Sequence, residues 1–340
     1  MRSDNNSGVS PEILKAIMDE NEGDAIAYGH DDVTVRSEEA FKKLFETDKL
    51  KAFNLISGTA ANSLIIATLS PTYGAVFCHQ DSHINCDECG AIEFQSGGAK
   101  LIPINGADGK IKVSELEEAI GRFTVGEAHH SQPSMLSIAN VTEAGTVYTP
   151  DEVYELSCLL KKHNLKLHMD GARFANAVAK IGCSAAEMTW KAGVDALSFG
   201  ATKNGALGAE AAIFFNDSED GSFIYRRMRS GHLVSKMRFI SAQIIAYTEN
   251  DLWLKNAEHA NAMAEKLFQG VKYASGIKFT YPVQSNVMFA EIEDGLRDRL
   301  WQAGFRFYTS NISGVKRSRL VTAFNTDPAD IDRFIELVKN

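Results

Sequence analysis

The chain has 340 residues, 44% of them hydrophobic and 23% charged, with a formal net charge of −9. That is enough apolar material for a large core and a smaller second one, and the negative balance argues against a nucleic-acid partner. No apolar run approaches the roughly 20 residues that span a bilayer, so no membrane partner is expected. The polar start Met1-Arg2-Ser3-Asp4-Asn5-Asn6 lacks a signal-peptide core, which makes a cytoplasmic location the expectation. The five cysteines, Cys78, Cys86, Cys89, Cys158 and Cys183, are odd in number and dispersed, which favours free thiols. Cys86-x-x-Cys89 finds no second ligand pair, and no metal is expected.

The chain shows no internal repeat and no low-complexity linker. Lys51–Ile56 reads as a strand and Thr59–Leu69 as a helix with small residues on one face. Ala75–Cys78 and Lys100–Ile104 are short apolar strands, the latter followed by the turn Asn105-Gly106-Ala107-Asp108-Gly109. Ser114 with Glu117 has capping-box spacing and predicts a helix start. Met135–Ala139 reads as a strand, and Pro150-Asp151 opens a helix to about His163. Leu165–Met169, Ala196–Phe199 and Ala211–Phe215 are three more strands. This alternation predicts an α/β fold with a mostly parallel central sheet covered by helices. From Ser222 the pattern is helical for some fifty residues, with breaks near Gly231 and Asn250. From about Ile277 short strands return, at Val287–Ile292, Phe305–Tyr308 and Arg319–Phe324, before a last helix from Pro328 to Val338. The expected division is a large domain over 1–250, with an N-terminal arm, and a small C-terminal α/β domain over 251–340.

Ligands of an open α/β sheet sit at the carboxyl ends of its strands, so the residues just past each strand matter most. Ser57-Gly58-Thr59-Ala60-Ala61-Asn62 combines a glycine, hydroxyls and a helix start, which suits an anion; a plain helix cap is the other reading. A dinucleotide site is disfavoured because no GxGxxG occurs. After Leu165–Met169 comes Asp170-Gly171-Ala172-Arg173, an acid three residues before an arginine, which could also be a surface pair. After Ala196–Phe199 comes Gly200-Ala201-Thr202-Lys203-Asn204-Gly205. A lysine just past a buried strand, among small residues, is open to a bulky ligand and suited to Schiff-base chemistry. Together these supply an anion cup, an acid for a pyridinium nitrogen and an amine for an aldehyde, the three demands of pyridoxal phosphate.

The segments His168-Met169-Asp170-Gly171-Ala172-Arg173-Phe174-Ala175-Asn176-Ala177 and Ser198-Phe199-Gly200-Ala201-Thr202-Lys203-Asn204-Gly205 resemble the aspartate and lysine segments of threonine aldolases. Ser57–Asn62 resembles their phosphate loop. Arg2-Ser3-Asp4 and Ala27-Tyr28-Gly29-His30-Asp31-Asp32 resemble their N-terminal active-site pieces. Asp87-Glu88-Cys89-Gly90-Ala91 and Thr142-Glu143-Ala144-Gly145-Thr146-Val147-Tyr148 are similar to stretches of the low-specificity L-threonine aldolase group. The resemblance covers essentially the whole chain. It implies fold type I of the pyridoxal-phosphate enzymes and retro-aldol cleavage of β-hydroxy amino acids such as L-threonine to glycine and an aldehyde.

Residue by residue, the resemblance implies that Lys203 carries the cofactor, Asp170 holds its ring nitrogen protonated, and His83 stacks on the ring. His83 alone, beside Asp81 and Asp87, could equally be a salt-bridged surface residue. Gly58, Thr59 and Thr202 would line the phosphate side. Arg173 would lie by the cofactor oxygen and the substrate carboxylate, with Ser3 and Arg319 completing the carboxylate clamp. Tyr28 and Glu88 would stand near the reacting groups. Arg238, in Met237-Arg238, would reach the phosphate of a neighbouring subunit, which implies a homodimer or homotetramer with shared active sites.

One departure stands out. Many members carry a histidine on the substrate hydroxyl just after the position of Asn140, and here the stretch is Asn140-Val141-Thr142-Glu143-Ala144-Gly145. The candidates for the base are then His83, Glu88 or a held water. Without a fixed histidine, L-threonine and L-allo-threonine should both be cleaved and D-threonine should be inert. A strong preference for one L-epimer would mean that another residue, Glu143 or His83, grips the hydroxyl. The rival readings are another reaction of the same fold, β-elimination or transamination, and a non-catalytic binding protein; an intact Lys203, Asp170 and arginine pair argue against the last.

Overall fold

The computed structural model describes residues 1–219, 221–312 and 315–340. Seven strands form the main sheet: β1 (Leu50–Leu55), β2 (Gly74–His79), β3 (Lys100–Ile104), β4 (Gln132–Ala139), β5 (Lys166–Gly171), β6 (Ala196–Gly200) and β7 (Glu210–Phe215). Their order is β1-β7-β6-β5-β4-β2-β3. Pairing is parallel from β6 through β5, β4 and β2 to β3. Only β7 is opposed, lying antiparallel to both β6 and β1. The carboxyl ends of the other six strands therefore share one edge with the start of β7, where Glu210 stands opposite both Leu55 and Gly200.

β2 and β7 are buried along their whole length because helices cover both faces of the sheet. One of them, Gly58–Leu69, is buried from Ala60 to Ala67 and lies against β5, β6 and β7. On the core side, Phe41, Phe45, Phe174 and Phe199 meet edge-on or tilted, with Phe41 and Phe199 centroids 5.2 Å apart. Phe199 directly precedes the turn that carries Lys203, so this packing anchors the site. Emptying one such buried ring to alanine costs about 3–5 kcal/mol.

The remaining strands, β8 (Ile277–Phe279), β9 (Val287–Ile292), β10 (Tyr308–Ile312) and β11 (Val315–Val321), form a four-stranded antiparallel sheet in the order β10-β11-β9-β8. The helices Asp294–Gln302 and Pro328–Lys339 pack on it. The 20-residue helix Leu252–Val271 joins the two cores. Trp253 and Ala257 belong to the first, and Ala264, Leu267 and Val271 to the second. Among the described residues no helix is long and apolar enough to cross a membrane.

Three expectations shift. Phe305 and Phe307 are buried against the small core but lie outside the ladder, which starts at Tyr308; a buried turn mimics strand alternation. β11 begins at Val315, through the polar stretch Lys316-Arg317-Ser318, and its pairing stops at Val321. The helix Val113–Gly121 starts before Ser114, and Glu115 rather than Glu117 reaches back, accepting the Lys112 amide at 2.8 Å.

Candidate active site

The lysine turn is built tightly. Thr202–Asn204 form one 3-10 turn after β6. The Asn204 side-chain amide donates to the Tyr247 hydroxyl at 2.7 Å and the Trp253 carbonyl at 2.8 Å. The Asn204 backbone carbonyl accepts from the Asn256 side-chain amide at 2.8 Å. Gly205 comes next, at φ 117°, and a Cβ there would stand 2.3 Å from the Ser10 hydroxyl. Only glycine lets the chain turn here against the N-terminal arm. Lys203 itself is half-buried.

Next to it, at the end of β5, Asp170 is buried and doubly held. Its Oδ1 accepts the Ala172 amide at 2.9 Å, and its Oδ2 accepts from Asn62 at 2.8 Å. The same Asn62 amide donates to Glu88 Oε1 at 2.8 Å. Glu88 Oε1 in turn meets His83 Nδ1 at 2.8 Å, and the Glu88 side chain is fully buried. That hydrogen bond raises the His83 pKa above 6.5, against the opposing effect of burial. The His83 backbone amide donates to Glu143 Oε1 at 3.1 Å. Burial, with the Asp170 charge nearby, raises the Glu143 carboxyl above its ordinary range.

Arg173 forms a two-pronged pair with Asp4, Nε to Oδ2 at 2.7 Å and Nη2 to Oδ1 at 2.9 Å. Asn286 adds a hydrogen bond to Asp4 at 3.1 Å. Burial pushes Asp4 up, but Arg173 outweighs it and the carboxyl is held below 3.8. Arg319 lies within electrostatic reach of Arg173, Asp4 and Glu143; burial, with the Arg173 charge, lowers its pKa. Ser3, adjoining Asp4, caps the first short turn through its hydroxyl.

At the open end of the helix Gly58–Leu69, the Ser57 hydroxyl caps the Ala60 amide at 3.2 Å. The amides of Gly58 and Thr59 are left as first-turn donors, and a Cβ on Gly58 would meet open space. After β6, the Thr202 hydroxyl accepts the Ala209 amide at 3.2 Å. Glu210, buried beside Thr202, has its carboxyl pushed up to about 7 by burial. Beneath Asp170, His168 bridges the Ser137 and Ser198 hydroxyls at 2.9 Å each, and burial lowers its pKa to about 4.

Of the residues expected from the sequence, Lys203, Asp170, His83, Glu88, Arg173, Arg319, Ser3, Gly58, Thr59 and Thr202 all come to this edge. Tyr28 and Arg238 do not join them within the chain. The Tyr28 amide donates to Ser235 O at 2.9 Å, and the ring is 49% exposed. Arg238 is half-buried and donates to Gly23 O. Both belong to one surface where the 23–30 loop meets Met237. Asn62, Asp4, Asn286 and Glu210 were given no role from the sequence. Asn62 and Asp4 lie inside the aldolase-like motifs, so their polar character was the available signal. Asn286 and Glu210 carried none.

The cluster fits pyridoxal phosphate. Among the described residues, Asn62 Oδ1, Glu88 Oε2 and Arg319 Nε are buried without a protein hydrogen bond. Unmet polar atoms gathered at one edge are what a polar guest would satisfy. The donor set also matches: an amine, a buried carboxylate, helix-end amides and two guanidinium groups.

The sheet order, the single opposed strand and this lysine turn define a fold-type-I enzyme of the pyridoxal-phosphate class. A family model described as beta-eliminating lyase matches residues 1–294, and the chain belongs to that family. It is 42% identical over 330 residues to the low specificity L-threonine aldolase of Pseudomonas sp. (strain NCIMB 10558), covering 97% of this chain and 94% of that one. It is 41% identical over 339 residues to the protein of the same name from Pseudomonas aeruginosa, covering 99% and 95%. A solved structure of Leishmania major threonine aldolase superposes with a TM-score of 0.93 at 28% identity, covering 99% of this chain and 98% of that one.

Proposed function

We propose that this protein is a pyridoxal-phosphate-dependent aldehyde-lyase. It cleaves L-threonine, L-allo-threonine and related β-hydroxy amino acids to glycine and an aldehyde. The observation that carries this reading is the gathering of the Lys203 amine, the Asp170 carboxylate and the guanidinium groups of Arg173 and Arg319 on one sheet edge. The names of the relatives it matches along nearly its whole length support it.

In this reading Lys203 carries the cofactor covalently, and Gly58, Thr59 and Thr202 hold its phosphate. Bound there, pyridoxal phosphate supplies an electron sink for a bond breaking at the substrate Cα. Asp170, tethered by Asn62 and the Ala172 amide, would hold the ring nitrogen in its protonated form. His83, held by Glu88, would lie against the ring. Asp4 takes Nε and Nη2 of Arg173 and so fixes the fork, leaving Nη1 for the substrate carboxylate. Arg319 and Ser3 complete the clamp. Fixing the carboxylate sets the rotation about Cα, and so which of its bonds breaks.

Tyr28 and Arg238, which share one surface and do not join Lys203 within the chain, serve the site of a neighbouring copy, so the working form is a homodimer or homotetramer. The five free thiols suit a cytoplasmic location. The test is product analysis on L-threonine, L-allo-threonine and D-threonine. Equal glycine and acetaldehyde from both L-epimers, with rates within roughly a hundredfold, and none from D-threonine, is expected. 2-Oxobutanoate with ammonia, the products of β-elimination, or 2-oxo-3-hydroxybutanoate, the product of transamination, would overturn the reading.

A further inference from the structure

We infer that Glu143 is the base that takes the β-hydroxyl proton, standing where the sequence lacks a histidine; this rests on the aldolase reading above. The geometry is specific. Glu143 lies in the loop directly after β4, next in the sheet to β5 and its terminal Asp170. Its carboxyl uses Oε1 to accept the His83 amide, and among the described residues Oε2 takes no protein hydrogen bond. The charged groups within electrostatic reach come from the surrounding elements: Asp170 on β5, Arg173 after it, Lys203 after β6, His83 and Cys86 on the short helix His83–Cys86, and Arg319 on β11. All of these except Cys86 are groups the proposed reaction uses, so the carboxyl looks onto the reacting centre.

The loop holds it still. Thr142 and Thr146 bond to each other through backbone at 2.9 Å and through hydroxyls at 2.7 Å. The Thr146 hydroxyl also donates to Asp108 O at 2.6 Å, and the Ser285 hydroxyl to Gly145 O at 2.9 Å. Gly145 sits at φ 83° with a Cβ position only 2.3 Å from Val287 O, so no side chain fits there. A carboxylate fixed from both domains is a positioned acceptor.

The other candidates have less to offer. Glu88 Oε1 is shared by Asn62 and His83, and its side chain is fully buried. His83 has its Nδ1 committed to Glu88 at 2.8 Å, and in the aldolase reading the face of its ring is taken up by the cofactor. Burial raises Glu143 toward neutrality, which strengthens it as a base once it is ionised. A carboxylate oxygen accepts over a wide arc, so it can serve a hydroxyl of either configuration at Cβ.

The step balances. The hydroxyl O–H bond breaks and its proton goes to Glu143. The oxygen electrons form the aldehyde C=O bond as Cα–Cβ breaks. That electron pair stays on the Cα side, and Cα takes up a proton to give glycine. Glu143 then returns its proton to solvent, so no oxidant or reductant is consumed.

The test compares Glu143→Gln and Glu143→Asp with wild type in the cofactor-loaded enzyme. Four readouts are used: cofactor absorption, thermal midpoint, aldehyde release from L-threonine across pH, and exchange of the glycine Cα hydrogen in D2O. Exchange breaks a Cα–H bond and needs no hydroxyl base. For Glu143→Gln we expect unchanged absorption, exchange within about threefold of wild type, and kcat for cleavage lowered at least a hundredfold. KM should change little, and the acid limb of the pH profile should disappear. Glu143→Asp should recover part of the rate. If the glutamine variant does not fold, the aspartate variant carries the test, with cleavage down about tenfold or more and exchange kept. Cleavage within threefold of wild type, or loss of exchange in step with cleavage, would overturn the inference. Wild-type protein that exchanges glycine but releases no aldehyde would overturn the aldolase reading itself, and the inference with it.

Discussion

Glu210 gives the sharpest thermodynamic prediction. It opens the one opposed strand and is buried at the sheet edge, opposite Leu55 and Gly200. Burial raises its carboxyl from 4.5 to about 7, although the Thr202 hydroxyl and Lys203 act the other way. In the unfolded chain the same group ionises near 4.5. Between about pH 4.5 and pH 7 the folded state therefore binds more protons than the unfolded state, and stability falls as pH rises. Above pH 7 both states are ionised and the loss is complete. A shift from 4.5 to about 7 corresponds to about 3 kcal/mol. With an unfolding entropy of about 2.1 cal/mol/K per residue, that is roughly 4 °C in Tm for this chain. The assay is urea unfolding of cofactor-free wild type and Glu210→Gln at several pH values from 5 to 8.5. Other groups titrate in both proteins, so the difference between the two isolates Glu210. The glutamine variant should gain about 2–3 kcal/mol on wild type between pH 5 and pH 8. Parallel pH profiles would show that Glu210 is not a buried, neutral acid.

Arg319→Lys should keep the cofactor spectrum but lower kcat/KM for L-threonine by about 2–3 kcal/mol, because a point charge replaces a fork; unchanged kinetics would remove Arg319 from the clamp. Asp4→Asn leaves the buried Arg173 cation without its counter-ion and should cost about 3–5 kcal/mol in urea unfolding, a loss that an exposed pair would not show. Because Arg173 holds Asp4 below 3.8, the contribution of this pair is present above that pH and lost as the solution is acidified through the depressed value; Asp4→Asn should therefore flatten the acid side of the stability curve. Glu88→Gln should lower the His83 pKa, read from imidazole resonances in a pH titration; an unmoved value would mean that the 2.8 Å contact does not control the ring.

Much of this site was legible in the chain because its key residues come directly after buried strands. Asp170 and Lys203 each stand just past an apolar run, flanked by small residues, and that local pattern survives without knowledge of the fold. What connects them was not local. Asn62 meets Asp170 across 108 positions, Arg173 meets Asp4 across 169, and Asn286 meets Asp4 across 282. Such pairs form only when the sheet order brings loop ends together, so their partners carried no signature of spacing. The direction of β7 was different, because the signal was present. Only residues 201–209 separate it from β6, too few for the helix of a parallel crossover, so the spacing dictates antiparallel pairing. In the small sheet, polar β11 was underread because its outer half faces solvent, whereas buried Phe305 and Phe307 imitated a strand without pairing.

The central claim is that Lys203 carries pyridoxal phosphate at the edge of the sheet, and borohydride reduction tests it most directly. The protein, purified or reconstituted with the cofactor, should be yellow. Reduction should abolish the visible band, and peptide mapping should find the pyridoxyl group on Lys203. A protein that stays colourless after reconstitution, or a label on a different lysine, would contradict the account.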